Sequence, residues 1–291
     1  MAMTVTATFA GVANVLITDG ETSILIDGYF SRPSLLKVAS GRLRPDERKI
    51  KYALNHLGMN GAGQTQPTSG HLDAVLVSHS HIDHAFDSPI VADLTGAKLY
   101  GSRSTRLIAL GYGLERVPFH EIGHGEPFQV GAFSVTPIIA LHSDGDRFPG
   151  EITEPVTLPA SVKDYRTGGC FSFHIAHPDG TVFVHPTANY ISGILREYGA
   201  DLLYLGAGTA GTKSQSWIEA YWRETVETLG VKTVRAVHWD AFWRPLTKPL
   251  KPIPRPFDRV DITMSEFGRL AERDGVDVRL AGLWERETVL G

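Results

Sequence analysis

The stretch Leu72-Asp73-Ala74-Val75-Leu76-Val77-Ser78-His79-Ser80-His81-Ile82-Asp83-His84 decides how this chain folds. Residues 72–77 are almost wholly apolar, the pattern of a strand buried on both faces. Three imidazoles and one carboxylate then fall within six residues, at His79, His81, Asp83 and His84. In an extended loop His79 and His81, two apart, point the same way and can share one cation. Asp83 and His84 follow as the chain turns and can face a second cation beside the first. Imidazole and carboxylate suit Zn²⁺; Fe and Mn also fit.

Upstream, residues 4–9 alternate β-branched and small side chains, a strand pattern. Apolar runs at 12–18 and 22–26 flank Asp19-Gly20, a hairpin signal because a type I′ turn needs positive φ at its centre. Residues 31–70 form a basic excursion, with a helix expected at 46–57. A loop is expected at 58–70, either an entrance lid or a plain surface segment. Downstream, a helix is expected with Ser88 as N-cap and Pro89 at its first position. Further strands are expected at 97–100, 128–140, 170–176, 181–185, 201–205 and 232–238. Helices are expected at 102–110, 190–198, 214–229 and 263–273, and a Pro-rich strap at 245–256. Two batches of strands, each followed by helices, predict two packed β-sheets with helices outside. That is one α+β domain over residues 1–291.

Composition narrows the function. The chain has 291 residues, 28 Lys+Arg against 32 Asp+Glu, and a formal charge of −4. That excess of acid argues against a nucleic-acid partner, because phosphate affinity rests on excess Lys and Arg. The single cysteine rules out an internal disulfide and a Cys-rich zinc module. No run is apolar enough to span a bilayer and the opening lacks a basic signal-peptide start, so no membrane partner and a cytoplasmic location are expected. Oligomeric state is not readable from the sequence.

The segment ending in His79-Ser80-His81-Ile82-Asp83-His84 resembles the signature of the metallo-β-lactamase fold superfamily. Gly11-Val-Ala-Asn-Val-Leu-Ile and Ser23-Ile-Leu-Ile-Asp27-Gly28 look like that family's first hairpin. The likeness is nearest to its lactonase-like and phosphodiesterase-like branches. It implies a four-layer αβ/βα sandwich with a metal site along one edge. It also implies a third histidine for the first metal, matched by His142, and a last histidine for the second metal, matched by His238 in Val-His238-Trp-Asp240. The family's bridging Asp, in a Gly-Asp-Thr context, has no counterpart here. The matching segment is His185-Pro186-Thr187, with His185 as a substitute ligand. One or two ions are therefore expected, with zinc foremost.

The resemblance implies a metal-dependent hydrolase that turns metal-activated water on a small-molecule ester, lactone or phosphodiester. Asp83 would orient the water. His185, Asp144 and Tyr190 are candidate proton donors to the leaving group. Asp73 and Asp240 are candidate outer partners that hold imidazoles. Trp239, Phe242 and Trp243 could line a substrate pocket, and the cationic strap would suit an anionic substrate. Gly206-Ala-Gly208-Thr-Ala-Gly211 reads as a loop beside the metal site rather than a dinucleotide fingerprint, since no acidic residue stands about 20 positions on. The competing readings are a metal-binding regulatory protein with a degenerate second site, or a metal-dependent isomerase or lyase.

Overall fold

The computed structural model describes residues 4–59 and 70–289, so the loop expected at 58–70 falls largely outside the described residues. In chain order the strands are β1 (Thr6–Phe9), β2 (Val15–Thr18), β3 (Ser23–Ile26), β4 (Ala74–Leu76), β5 (Lys98–Gly101), β6 (Phe119–Glu121) and β7 (Phe128–Val130). They continue as β8 (Phe133–Ile139), β9 (Phe171–His177), β10 (Gly180–His185), β11 (Leu202–Gly206), β12 (Thr233–Val237), β13 (Asp277–Leu280) and β14 (Arg286–Thr288). The helices are α1 (Leu35–Ser40), α2 (Glu47–His56), α3 (Ile82–Ala85), α4 (Ser88–Thr95), α5 (Arg103–Gly111), α6 (Gln215–Trp222) and α7 (Val260–Asp274).

Two seven-stranded mixed sheets form, in the orders β14-β1-β2-β3-β4-β5-β6 and β13-β12-β11-β10-β9-β8-β7. The first runs antiparallel from β14 to β3 and parallel from β3 to β6. The second is parallel from β13 to β10 and antiparallel from β10 to β7. Apolar burial divides into three layers, which makes the whole a four-layer αβ/βα sandwich. Ile24, Ile26, Ala74 and Leu76 meet Phe133, Phe173, Val182 and Val184 between the sheets. Val75, Val77 and Leu99 face Ile50, Leu54, Val91 and Ile108 on the helices of the first sheet. Phe183, Leu203 and Val234 face Ile218, Trp222, Phe267 and Leu270 on those of the second. β4 thus buries alternate residues in two different cores, which is why its sequence shows no polar alternation.

Caps explain most helix boundaries. Asp46 accepts from the N–H groups of Arg48 and Lys49, and Ser102 and Ser214 cap α5 and α6. Ser88 is already helical; Asp87 holds the N-cap position, one residue earlier than expected. The helix expected at 190–198 is instead a series of turns. Gly193 sits there at φ +75°, and its N–H and the Ser192 hydroxyl are drawn to Glu224. The strand expected at 128–140 is a hairpin broken by Gly131 at φ +57°. At Asp19-Gly20 only Gly20 has positive φ, because the Asp19 carboxylate turns the chain by accepting from the N–H groups of Glu21 and Thr22.

Trp222 and Tyr221 are core residues. The Pro-rich strap pairs with the segment after β12 through Ala241 N–H to Lys251 O and Ile253 N–H to Trp239 O. No described helix is long and apolar enough to cross a membrane.

Candidate metal centre

Two triads of ligand-type side chains lie side by side at one edge of the sandwich. His79, His81 and His142 form one; Asp83, His84 and His238 form the other. The turn after β4 supplies His79, His81, Asp83 and His84. His142 follows β8 and His238 follows β12. Outside the carboxyl ends of parallel strands is where open sheets of this kind bind ligands. The triads nearly touch, with the His79 and His84 ring centroids 3.8 Å apart.

The outer partners of four of the five rings fix where the proton sits. His81 Nε2 faces the Asp146 carboxylate at 3.2 Å and the Phe148 carbonyl at 3.4 Å, so it donates. His142 Nδ1 donates to the Ser143 carbonyl at 2.8 Å. His84 Nδ1 donates to Asp27 Oδ2 at 2.7 Å. The Ser78 hydroxyl donates to the same carboxylate at 3.1 Å, which leaves its oxygen to accept from His79 Nδ1 at 3.3 Å. In these four rings the inner nitrogen is thereby a lone pair. His81 Nδ1 and His142 Nε2 confront each other at 3.2 Å as two lone pairs, and the His84 Nε2 lone pair faces His238 Nε2 at 3.2 Å. His79 Nε2 is buried with no partner. Two facing lone pairs repel; a cation between them turns repulsion into ligation. The residues present therefore fit a metal, and outer acceptors of this kind are what orients metal-bound imidazoles.

Burial holds the His79, His81 and His142 imidazoles below their ordinary pKa, His142 down to about 4. They are neutral ligands at neutral pH. Burial alone would lower His238 and raise Asp83. The neighbours reverse both: the Asp83 carboxylate, Oδ2 to Nε2 at 3.2 Å, raises His238, while His84 and then His238 hold Asp83 well below the carboxylate range. The second triad thus carries an anionic ligand and the first does not.

Three expectations for this region are overturned. His185 joins neither triad: its Nδ1 accepts from the Ser172 hydroxyl at 2.6 Å and its Nε2 donates to the Asn189 carbonyl at 2.7 Å. It braces a turn whose Asn189 side chain donates to the His142 carbonyl at 2.8 Å. With both nitrogens engaged, it is neither a ligand nor a free proton donor. Asp73 lies at the opposite end of β4 from His79, where it accepts from the Ser23 N–H at 2.8 Å and faces His71 Nε2 at 3.7 Å, so it holds no imidazole of the two triads. Asp240 holds a guanidinium instead, Arg32 Nη2 at 2.6 Å, and accepts from the Val12 N–H at 2.8 Å. It steadies His238 indirectly, because the His238 N–H donates to the Val12 carbonyl.

Asp144 pairs with Lys213 at 2.5 Å, and Tyr190 packs its ring beside Trp217 and Tyr221; no hydrogen bond joins either side chain to a triad side chain. Trp239 belongs to the core under the second sheet's helices, while Phe242 packs on that of the first sheet with Trp243 edge-on at 4.9 Å. Thr187 donates its hydroxyl to the Leu141 carbonyl, so the turn after β10 supplies no carboxylate to join the triads. Burial pushes the Cys170 thiol up to about 12, as suits a structural cysteine. In the glycine-rich loop, a Cβ on Gly208 would stand 2.8 Å from the His238 carbonyl. Its bare backbone is what lets this loop pack against the last histidine.

Backbone strain gathers here too. Val12, Asp27, Arg32 and His238 are non-glycine residues at φ +54°, +56°, +41° and +57°. His238 belongs to the second triad and Asp27 backs its His84, while Val12 and Arg32 support His238 through Asp240. Such strain persists only where the surroundings over-determine it.

Replacing His185 with Ala is expected to leave the metal content unchanged and to lower the thermal midpoint, as elemental analysis and a melt would show; a lost cation would make it a ligand after all. The pH dependence follows from His142 and His185, both lowered by burial to about 4. The unfolded chain takes up these protons near pH 6.5 and the folded one only near 4, so stability is intact above about 6.5 and falls as pH drops towards 4. Urea midpoints of chelated protein at pH 7 and 4.5 check this; equal midpoints would contradict it.

A fold of two mixed sheets with a paired His/Asp edge is that of the metallo-β-lactamase superfamily. The model of the beta-lactamase superfamily domain matches residues 24–239, and the chain belongs to that family. A UPF0173 metal-dependent hydrolase from Anaeromyxobacter dehalogenans is 38% identical over 176 residues, 60% of this chain and 55% of that protein. The chain spans about half the length of the curated relatives it matches. Among solved structures, Igni18, a metallo hydrolase from Ignicoccus hospitalis, aligns over 98% of both chains with a TM-score of 0.59 and 15% identity. The metallo-β-lactamase fold protein YhfI from Bacillus subtilis aligns over 97% of this chain and 99% of its own, with a TM-score of 0.54 and 16% identity. At such identities these two bear on the fold alone.

Proposed function

We propose that this protein is a metal-dependent hydrolase of a small-molecule ester, lactone or phosphodiester, with zinc as its principal metal. The observation that carries the reading is the convergence of five imidazoles with the Asp83 carboxylate, four of the rings backed by an outer acceptor. The name of the Anaeromyxobacter relative points the same way. His79, His81 and His142 would hold one cation, and Asp83, His84 and His238 a second. When bound, such a cation supplies Lewis acidity, making water nucleophilic near neutral pH and polarising a carbonyl or phosphoryl oxygen. Asp83, the anionic member of the second triad with a side chain 15% exposed, has a carboxylate that could orient a water. His81, locked by Asp146 and Thr167, cannot rotate away from the centre.

Without a carboxylate from the turn after β10, three neutral imidazoles leave the first cation with its full charge. That favours a strong Lewis acid there and a lower affinity. The experiment is a panel of esters, lactones and phosphodiesters turned over in ¹⁸O-labelled water by metal-loaded protein. Solvent oxygen in the product, lost on chelation and restored by Zn²⁺, is the expected result. Metal-dependent conversion with no label would give the site to an isomerase or lyase. Inertness of loaded protein across the panel would favour a metal-binding regulatory role.

A further inference from the structure

A cavity of about 660 Å³ lies beside the metal centre, within the long excursion between β8 and β9. Arg42, Arg147, Lys163 and Arg166 line it against only Glu154 and Asp164, in a chain whose formal charge is −4. The Asp164 carboxylate is turned back to accept from the Ser161 N–H at 2.7 Å. Arg42 donates from Nε to the Pro159 carbonyl at 2.9 Å, and Arg166 from Nη1 to the Pro149 carbonyl at 3.1 Å. These bonds position two guanidinium groups without neutralising them and leave further N–H groups to bind. Among the described residues Arg147 and Lys163 have no acceptor at all. Gathering four cations is unfavourable unless an anion joins them, and the arginine fork matches the geometry of carboxylate and phosphate. The volume is that of a small-molecule site rather than of a lone ion.

The cavity wall is also the outer support of His81. Arg147 follows Asp146, Arg166 precedes Thr167, and Phe148 lends both a wall and the carbonyl that His81 Nε2 meets. We propose that this cavity binds the oxyanion group, phosphate or carboxylate, of a small organic molecule next to the metal centre. The binding claim stands apart from the hydrolase reading. The anion is either the substrate's own tail or a separate ligand, and the chemistry of recognition is the same.

The test is calorimetric titration of metal-loaded protein with inorganic phosphate at low ionic strength, for wild type and for the double variant Arg147→Gln/Lys163→Gln. Both side chains are exposed, so folding is not at issue. The expected result is at least tenfold weaker phosphate binding with metal content unchanged. Equal binding by the two proteins, with all phosphate held at the metals, would overturn the proposal, as would no binding by wild type. Kinetics separate the sources. A raised KM for a carboxylate-bearing ester, with a neutral ester unaffected, marks a substrate tail. A phosphate effect on the neutral ester, lost in the variant, marks a separate ligand. Failure to hydrolyse any ester would count against the hydrolase reading and leave the titration to decide this one.

Discussion

Replacing Asp27 with Asn is expected to strip the cation from the second triad while the protein stays folded. Asp27 is wholly buried, and its Oδ1 accepts from the Ser78 N–H at 2.8 Å. Its Oδ2 takes protons from His84 Nδ1 at 2.7 Å and from the Ser78 hydroxyl at 3.1 Å. Asparagine has the same shape and keeps the first bond, but places an NH₂ donor where Oδ2 stood. His84 must then move its proton to Nε2, aiming an N–H at the metal position instead of a lone pair. Loss of an outer partner of this kind lowers metal affinity about 10–100-fold. The first triad should suffer less, because His79 leans on Ser78 rather than on Asp27 itself. Elemental analysis with a competing chelator gives the count and the affinities, and circular dichroism the fold. Two cations held at wild-type affinity would show that Asp27 does not set the His84 proton.

The second large effect is expected at Arg32. Its side chain and that of Asp240 are 0% and 1% exposed and pair at 2.6 Å. A second nitrogen donates to the Arg244 carbonyl at 2.9 Å, which ties the strap to the site. Gly11 has no side chain because the guanidinium is there; a Cβ would lie 2.4 Å from Nη2. Removing one partner leaves the other as an uncompensated buried charge, so Arg32→Ala should cost about 3–5 kcal/mol. In a protein of this size that lowers the melting temperature by roughly 10 °C. The informative control is Arg32→Met with Asp240→Leu, which removes both charges and should recover much of the loss. If the double variant is as unstable as the single one, the damage comes from lost packing and not from the stranded carboxylate.

The inner residues of the centre were legible in the sequence because their chemistry is written locally. The turn after β4 places His79, His81, Asp83 and His84 by spacing alone, and the family likeness matched His142 and His238 to strand ends. The outer residues were not legible. Asp27, Asp146 and Arg32 reach their partners only through the fold, and Ser78, though beside His79, is an ordinary serine whose role shows only in its hydrogen bonds. Strand pairing held the one available clue for Asp27: it follows β3, whose Ile26 is in register with Leu76, so Asp27 arrives beside the turn that carries the histidines. Asp146 stands four residues after His142, but in a loop that spacing fixes no direction. Adjacency misled for Asp73 and Asp240, since β4 carries one carboxylate to its far end and the chain after His238 turns the other towards Arg32. His185 looked like a ligand by its place in the motif; only its two hydrogen bonds show it as a brace. The layers were readable from apolar runs, while the turns at 190–198 were not, because Glu224 redirects them from another element.

The last strand returns to the first sheet, where it sets Thr6 against Thr288. A ribosome that has made the histidine turn has therefore not yet made the edge that closes the sheet holding it, nor His238. Contacts this distant along the chain form late and slow folding. During synthesis the open β1 edge and the face of the first sheet stay exposed, a template for pairing with other chains. Metal cannot be captured by both triads until the chain has passed His238, so loading follows folding rather than guiding its first steps.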